Sequence, residues 1–119
     1  MSQLILDENV DLQRVLPHLP KKITAQSIQS LRPGERILDE RVPEILLTLK
    51  QPTFVTIDRG FWHPRWCHPD YCIAFFAVQS TEQEQLTELL RAFLRLPEFH
   101  TRASRVGKVA HVSPTRVDY

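Results

Sequence analysis

Nothing in this 119-residue chain is long, repeated or strongly biased, and each absence narrows what the protein can be. Its longest apolar stretch lies within Tyr71 to Val78, far short of the roughly 20 residues a membrane-spanning helix requires. There is no internal repeat, low-complexity tract or linker, so solenoids and arrays are excluded. Charge of one sign is not in excess either: 15 Lys and Arg stand against 14 Asp and Glu. Net charge alone therefore argues neither for nor against a nucleic-acid partner. Cysteine is scarce, and Cys67 and Cys72 lack the second cysteine pair that zinc-ribbon folds bring. Met1-Ser2-Gln3 leads straight into a strand pattern without a basic segment, apolar signal core or cleavage site. The expectation is a cytoplasmic protein with no cleaved signal and no membrane association.

What is present suits one compact domain over residues 1–119. The hydrophobic content is 42%, and a domain of this size buries roughly two-thirds of its unfolded surface. Nine prolines punctuate the periodic segments. Leu12, Val15, Leu16 and Leu19 recur at helical spacing after Asn9, which is placed to cap, while Pro17 should shorten the helix. Lys22 to Ile28 reads as a strand and Leu31 to Glu35 as a turn. Val42, Ile45, Leu46 and Leu49 form a helical face, with Asp39 as its cap and Pro43 in the first turn. Thr53 to Asp58 is the clearest strand. Tyr71 to Val78 lacks alternation, as a strand covered on both faces does. Ser80, Thr81, Gln83 and Glu84 make overlapping capping boxes ahead of Leu86, Leu89, Leu90, Phe93 and Leu94, and Pro97 ends that helix. Val106 to Val112 is the last expected strand. Strands alternating with helices point to an α/β fold, a three-layer sandwich with a mainly parallel sheet.

Two of these strands end on acids. Leu4-Ile5-Leu6 closes on Asp7-Glu8-Asn9, and Thr53 to Ile57 closes on Asp58-Arg59-Gly60-Phe61. Carboxyl ends of parallel strands are where open sheets place ligand crevices, so Asp7 and Asp58 should converge there on a divalent cation. Hard cations take oxygen ligands, and Mg²⁺ commonly uses one or two protein carboxylates plus phosphate oxygens. Arg102, Arg105, Lys108 and Arg116, opposed in the last segment only by Asp118, are expected to form a basic rim. An ordinarily solvated surface is the competing reading of that pattern.

Leu6-Asp7-Glu8-Asn9, Asp39-Glu40 before a helix, and Val55-Thr56-Ile57-Asp58 followed by Phe61 together resemble the PIN-like domains, in particular the short group that opens on Leu-Asp-Glu-Asn. The resemblance covers residues 4 to 80. It implies a single PIN-like α/β/α domain and a Mg²⁺- or Mn²⁺-dependent endoribonuclease cutting single-stranded RNA, as in toxins of toxin–antitoxin pairs and in RNA-processing nucleases. An antitoxin protein is then an implied partner, and self-association is a further expectation. Asp7, Asp39 and Asp58 become the catalytic and metal-binding set, with Glu40 and Glu44 weaker members. Asn9 and Thr56 would shape the pocket by hydrogen bonds to Asp7, Asp58 or phosphate, against ordinary roles as a cap and a strand residue. Arg59 would meet the phosphate backbone, since guanidinium geometry suits phosphate oxygens; a solvated arginine is the alternative.

The chain departs from the family at Gly60, where many relatives carry a second acid. One metal in place of two, recruitment of Asp70, or loss of catalysis with RNA binding retained are the consequences to distinguish. The segment His63 to Cys72 could supply zinc ligands, but Cys72 opens an apolar strand where cysteine packs as a small hydrophobe, and structural or substrate contacts are the favoured roles. Trp62 and Trp66 could stack on an unpaired base or pack inside. The alternatives to a nuclease are a non-catalytic nucleic-acid-binding module and a protein-interaction subunit.

Overall fold

The structure, a computed structural model, describes residues 2–79 and 81–119. Its centre is a six-stranded sheet of β1 (Ser2–Leu6), β2 (Ile23–Ser27), β3 (Thr53–Thr56), β4 (Cys72–Phe76), β5 (Val109–Val112) and β6 (Val117–Asp118), ordered β2-β1-β3-β4-β5-β6. The first five strands run parallel, and β6 pairs antiparallel at the edge.

Apolar side chains leave both faces of this sheet, which is why the strands read as unbroken hydrophobic runs. Leu4, Leu6, Val55, Ala74, Phe76, Ala110 and Val112 point to one face, under α1 (Leu12–Val15) and α4 (Gln83–Arg95). Ile5, Phe54, Ile73 and Val109 point to the other, where Ile28 of α2 (Ile28–Leu31) and Val42, Ile45 and Leu46 of α3 (Val42–Leu46) meet Phe61, Trp66 and Tyr71 from the β3–β4 connection. Two apolar layers about one mainly parallel sheet are the α/β architecture expected from the alternating pattern.

Several local expectations are corrected. Asp11, not Asn9, caps α1, accepting from the Gln13 amide at 3.0 Å. Pro17 does interrupt the helix, and the chain tightens into a 3₁₀ turn at Leu16–His18. Asp39 caps no helix; it opens a 3₁₀ turn, Asp39–Arg41, that runs directly into α3. The helix α4 starts at Gln83 after Glu82, whose side chain does not cap it, and the capping box expected from Ser80 lies outside the described residues. The last long strand begins at Val109, because α5 (Arg102–Arg105), capped reciprocally by Thr101 and Ser104, occupies the preceding residues. Gly107, at φ +86°, makes the turn between them, a conformation that side-chain-bearing residues rarely adopt.

Candidate functional site

The strand order reverses direction between β1 and β3, since the chain goes from β1 outward to β2 and then returns across β1 to begin β3. Neighbouring loops diverge at such a point and leave a crevice beyond the carboxyl ends of the two strands. Asp7 follows the last residue of β1, and Asp58 lies two residues beyond β3. The sequence expectation that both acids reach one end of adjacent strands therefore holds.

Thr56 joins them. Its hydroxyl donates to Asp7 Oδ2 at 2.7 Å and accepts the Asp58 backbone N–H at 2.9 Å. The threonine is fully buried at the end of β3, so its β-branched chain both fits the sheet and fixes the acid opposite. The second Asp7 oxygen accepts the Glu8 amide at 2.8 Å. Each carboxylate oxygen has two lone-pair directions, so both retain acceptor capacity after these bonds. Burial raises the Asp7 pKa, the two hydrogen bonds oppose that rise, and the charges of Glu8 and Asp58 add to it.

Asp58 folds back on its own backbone, accepting the Gly60 amide at Oδ1 over 2.8 Å and so capping the 3₁₀ turn Arg59–Phe61. Gly60 is not at positive φ. A Cβ built there would stand 3.1 Å from Asp58 Oδ1, a tight approach. The glycine thus leaves room for the Asp58 carboxylate to make its cap.

Asp39 is exposed at the opening of its 3₁₀ turn. Its pKa is raised by partial burial first, then by the charges of Asp58, Glu40 and Glu8, with Arg65 opposing them. Asp7, Glu8, Asp39 and Asp58 thus share one electrostatic neighbourhood. A groove of about 440 Å³ beside them is lined by Glu8, Gln29, Arg36, Ile37, Leu38, Asp39 and Glu40. Among the described residues, no three His, Cys, Asp or Glu side chains form a group placed to hold a metal ion. The donors that are present, Asp7 and Asp58, are hard oxygens suited to a largely hydrated Mg²⁺ or Mn²⁺ completed by phosphate, and unlike the cage of a structural zinc.

The other candidates separate clearly. Asn9 is exposed in the turn after β1, and Arg59 is exposed in the turn after Asp58. Glu44 lies in the first turn of α3. Asp70 precedes β4 and so belongs to the amino end of the sheet; it cannot supply the acid missing at Gly60. The expected basic rim also fails. Arg105 is fully buried, donating to Thr53 Oγ1 and to the Phe99 carbonyl, both at 2.8 Å, at the amino end of β3. Lys108 bonds the Glu98 and Ser104 carbonyls, and Arg116 pairs with Asp118 at 2.7 Å. A cation that acts on Asp39 is Arg65, stacked 4.5 Å over the Trp66 ring.

Of the two tryptophans, Trp66 is buried and donates to the Gly60 carbonyl at 2.8 Å, which removes it as a stacking surface. Trp62 is half-buried against His111, whose ring also meets Phe75. Phe75 stands beside Thr56 in register and His111 beside Phe75, so an imidazole with two aromatic neighbours extends the row from Asp7 and Thr56 across the sheet. Sequence reasoning missed His111 because a lone histidine in an apolar strand carries no spacing signal. Cys67 is exposed with its thiol 3.2 Å from the Gly107 carbonyl, whereas Cys72 is buried within β4 and its thiol pKa is pushed up to about 12 by burial. Among the described residues no helix is long and apolar enough to cross a membrane.

In comparisons with known proteins, no family model, curated protein or solved structure matches this chain.

Proposed function

We propose that this chain is a PIN-like, Mg²⁺- or Mn²⁺-dependent endoribonuclease that acts on single-stranded RNA. The observation that carries this reading is the Thr56 bridge between Asp7 Oδ2 and the Asp58 backbone at the point where the strand order reverses. It prepositions one acid, holds the start of the turn that carries the other, and does so where parallel sheets bind ligands.

Asp7 and Asp58 would hold the metal, with Asp39 approaching from the 3₁₀ turn as a further anion. When bound, the metal supplies charge neutralisation at the phosphate and an acidified water. The remaining work belongs to the chain. Thr56 keeps Asp7 oriented, Glu8 N–H restrains its other oxygen, and Arg59 and Arg65 lie on exposed turns from which a phosphate backbone is accessible. Trp62, partly exposed directly after the Arg59–Phe61 turn, offers an aromatic edge for an unstacked base.

Cleavage of an oligouridylate by scrupulously purified protein, supported by Mn²⁺, stopped by EDTA and abolished in Asp7→Asn, is the expected result. Activity that survives in Asp7→Asn would place the chemistry elsewhere or in a contaminant. A second reading, a non-catalytic RNA-binding module, is favoured by Gly60 in place of an acid and by the lack, among the described residues, of a ready-made set of three ligands. Salt-sensitive binding without cleavage at any metal concentration would select it.

A further inference from the structure

The largest groove described lies away from the acids, at the amino end of the sheet, where the tail of α1 approaches the last turns of α4. Its volume is about 810 Å³, against about 440 Å³ for the groove beside Asp39. Leu19, Ile23 and Leu94 form an aliphatic floor, and Lys22, Arg91, Arg95 and Arg102 surround it. No carboxylate is among its lining residues. Ion pairs of the described residues join Arg14 to Asp11, Arg41 to Glu35 and Arg116 to Asp118; none engages these four cations. Permanent charges of one sign gathered around an apolar floor repel one another, and an anionic occupant relieves that repulsion.

The groove continues upward. A second concavity of about 570 Å³ shares Pro17, His18 and Arg91 with the first and follows the seam between α1 and α4 to Glu84 and Glu88. From Glu84 to Arg95 along α4 is about 16 Å, at roughly 1.5 Å per residue. The surface is therefore elongated and graded in charge: Glu84 and Glu88 stand at the end nearest the start of α4, beside an Arg14 paired with Asp11, and Lys22, Arg95 and Arg102 stand at the other. A compact small anion would use only the cationic end. A nucleic-acid strand would leave the aliphatic floor unused and find no Phe, Tyr or Trp among the lining residues on which to stack. An amphipathic helix of about three turns uses all of it: apolar side chains at i, i+3 and i+4 fill the floor, and carboxylates at one end meet Arg95 and Arg102.

We propose that the α1–α4 groove docks an acidic amphipathic helical segment of a partner protein, in one orientation set by this charge gradient. The surface is independent of the nuclease reading, since neither Asp7 nor Asp58 lines it and its cationic end lies at the opposite end of the sheet from them.

The test is selection of a phage-displayed library of random 15-residue peptides on the intact protein, in parallel with the charge-reversed variant Arg95→Glu/Arg102→Glu. Enrichment of peptides with apolar residues at helical spacing and acids clustered at one end is expected. Synthetic copies should bind the natural chain about tenfold or more tightly than the variant, and exchanging their acids for lysine should restore binding to the variant. Circular dichroism would verify folding, with Lys22→Glu/Arg91→Glu as the substitute pair if the first fails to fold. No enrichment, enrichment without acidic bias, or equal affinity for both proteins would overturn the proposal. So would charge reversal abolishing the binding of a labelled oligouridylate while leaving that of the selected peptides intact, since the groove would then be a nucleic-acid surface.

Discussion

Thr56 Oγ1 lies 2.7 Å from Asp7 Oδ2 and simultaneously accepts the backbone N–H of Asp58 at 2.9 Å, so a single hydroxyl ties the ends of two parallel strands together. Because the threonine is fully buried, neither bond can be replaced freely by water. Thr56→Val preserves shape and removes both. A loss of about 1–3 kcal/mol in urea unfolding is expected, the range for leaving buried polar groups unpaired. Mn²⁺ affinity measured by calorimetry should fall with it; an unchanged affinity would detach Thr56 from the site.

Asp7 should behave as a group held for function at the expense of stability. Its pKa is raised in the folded chain, chiefly by burial, so the native state binds a proton more readily than the unfolded state. Stability is then greatest when the carboxyl is protonated and declines as pH rises from the ordinary carboxylate range through the raised value. Asp7→Asn should accordingly melt at higher temperature than the natural chain at pH 7, with the difference shrinking toward pH 4, while Mn²⁺ binding is lost. A variant less stable at pH 7 would contradict the sign.

Gly60→Asp should tighten Mn²⁺ binding. The backbone at Gly60 is not in the left-handed region, so aspartate meets no penalty of that kind. The obstacle is the 3.1 Å approach of a Cβ to Asp58 Oδ1, which requires the carboxylate to shift by a few tenths of an ångström and weakens its cap. Gly60→Ala isolates that crowding: it should lower stability slightly without raising affinity. A folded Gly60→Asp protein with no gain over Gly60→Ala would mean that position 60 points away from the metal.

Arg105 is expected to be the arginine whose loss is felt most. It is buried, its pKa is lowered by desolvation, and among the described residues its guanidinium has no carboxylate partner, only Thr53 Oγ1 and the Phe99 carbonyl. Arg105→Ala removes both bonds and opens a cavity, and a loss of about 3–5 kcal/mol is the expected scale. Arg59→Ala, on the exposed turn, should change stability by less than about 0.5 kcal/mol. Chemical denaturation of the two variants checks the contrast.

The alternation of apolar strands with amphipathic helices, the strand endings at Asp7 and Asp58, and the interruption at Pro17 were legible from the chain alone. They rest on periodicity and on the stereochemistry of individual residues, which act locally. What tertiary structure decided was which polar groups meet. The family resemblance had named Thr56 as a hydrogen-bond partner of Asp7 or Asp58, but no spacing rule reveals that one hydroxyl would serve both, that Asp11 would outcompete Asn9 for the α1 cap, or that His111 would stand in register beside Phe75. The C-terminal basic residues make the same point. Their clustering in sequence suggested a rim, but α5 turns Arg105 inward beneath β3, and Lys108 spends its charge on carbonyls. Conversely, Lys22, Arg91 and Arg102 are far apart in sequence and come together only because the tails of α1 and α4 and the start of α5 converge at one end of the sheet. Local pattern sets the elements, while parallel strand order, which brings together residues some fifty positions apart, sets the site.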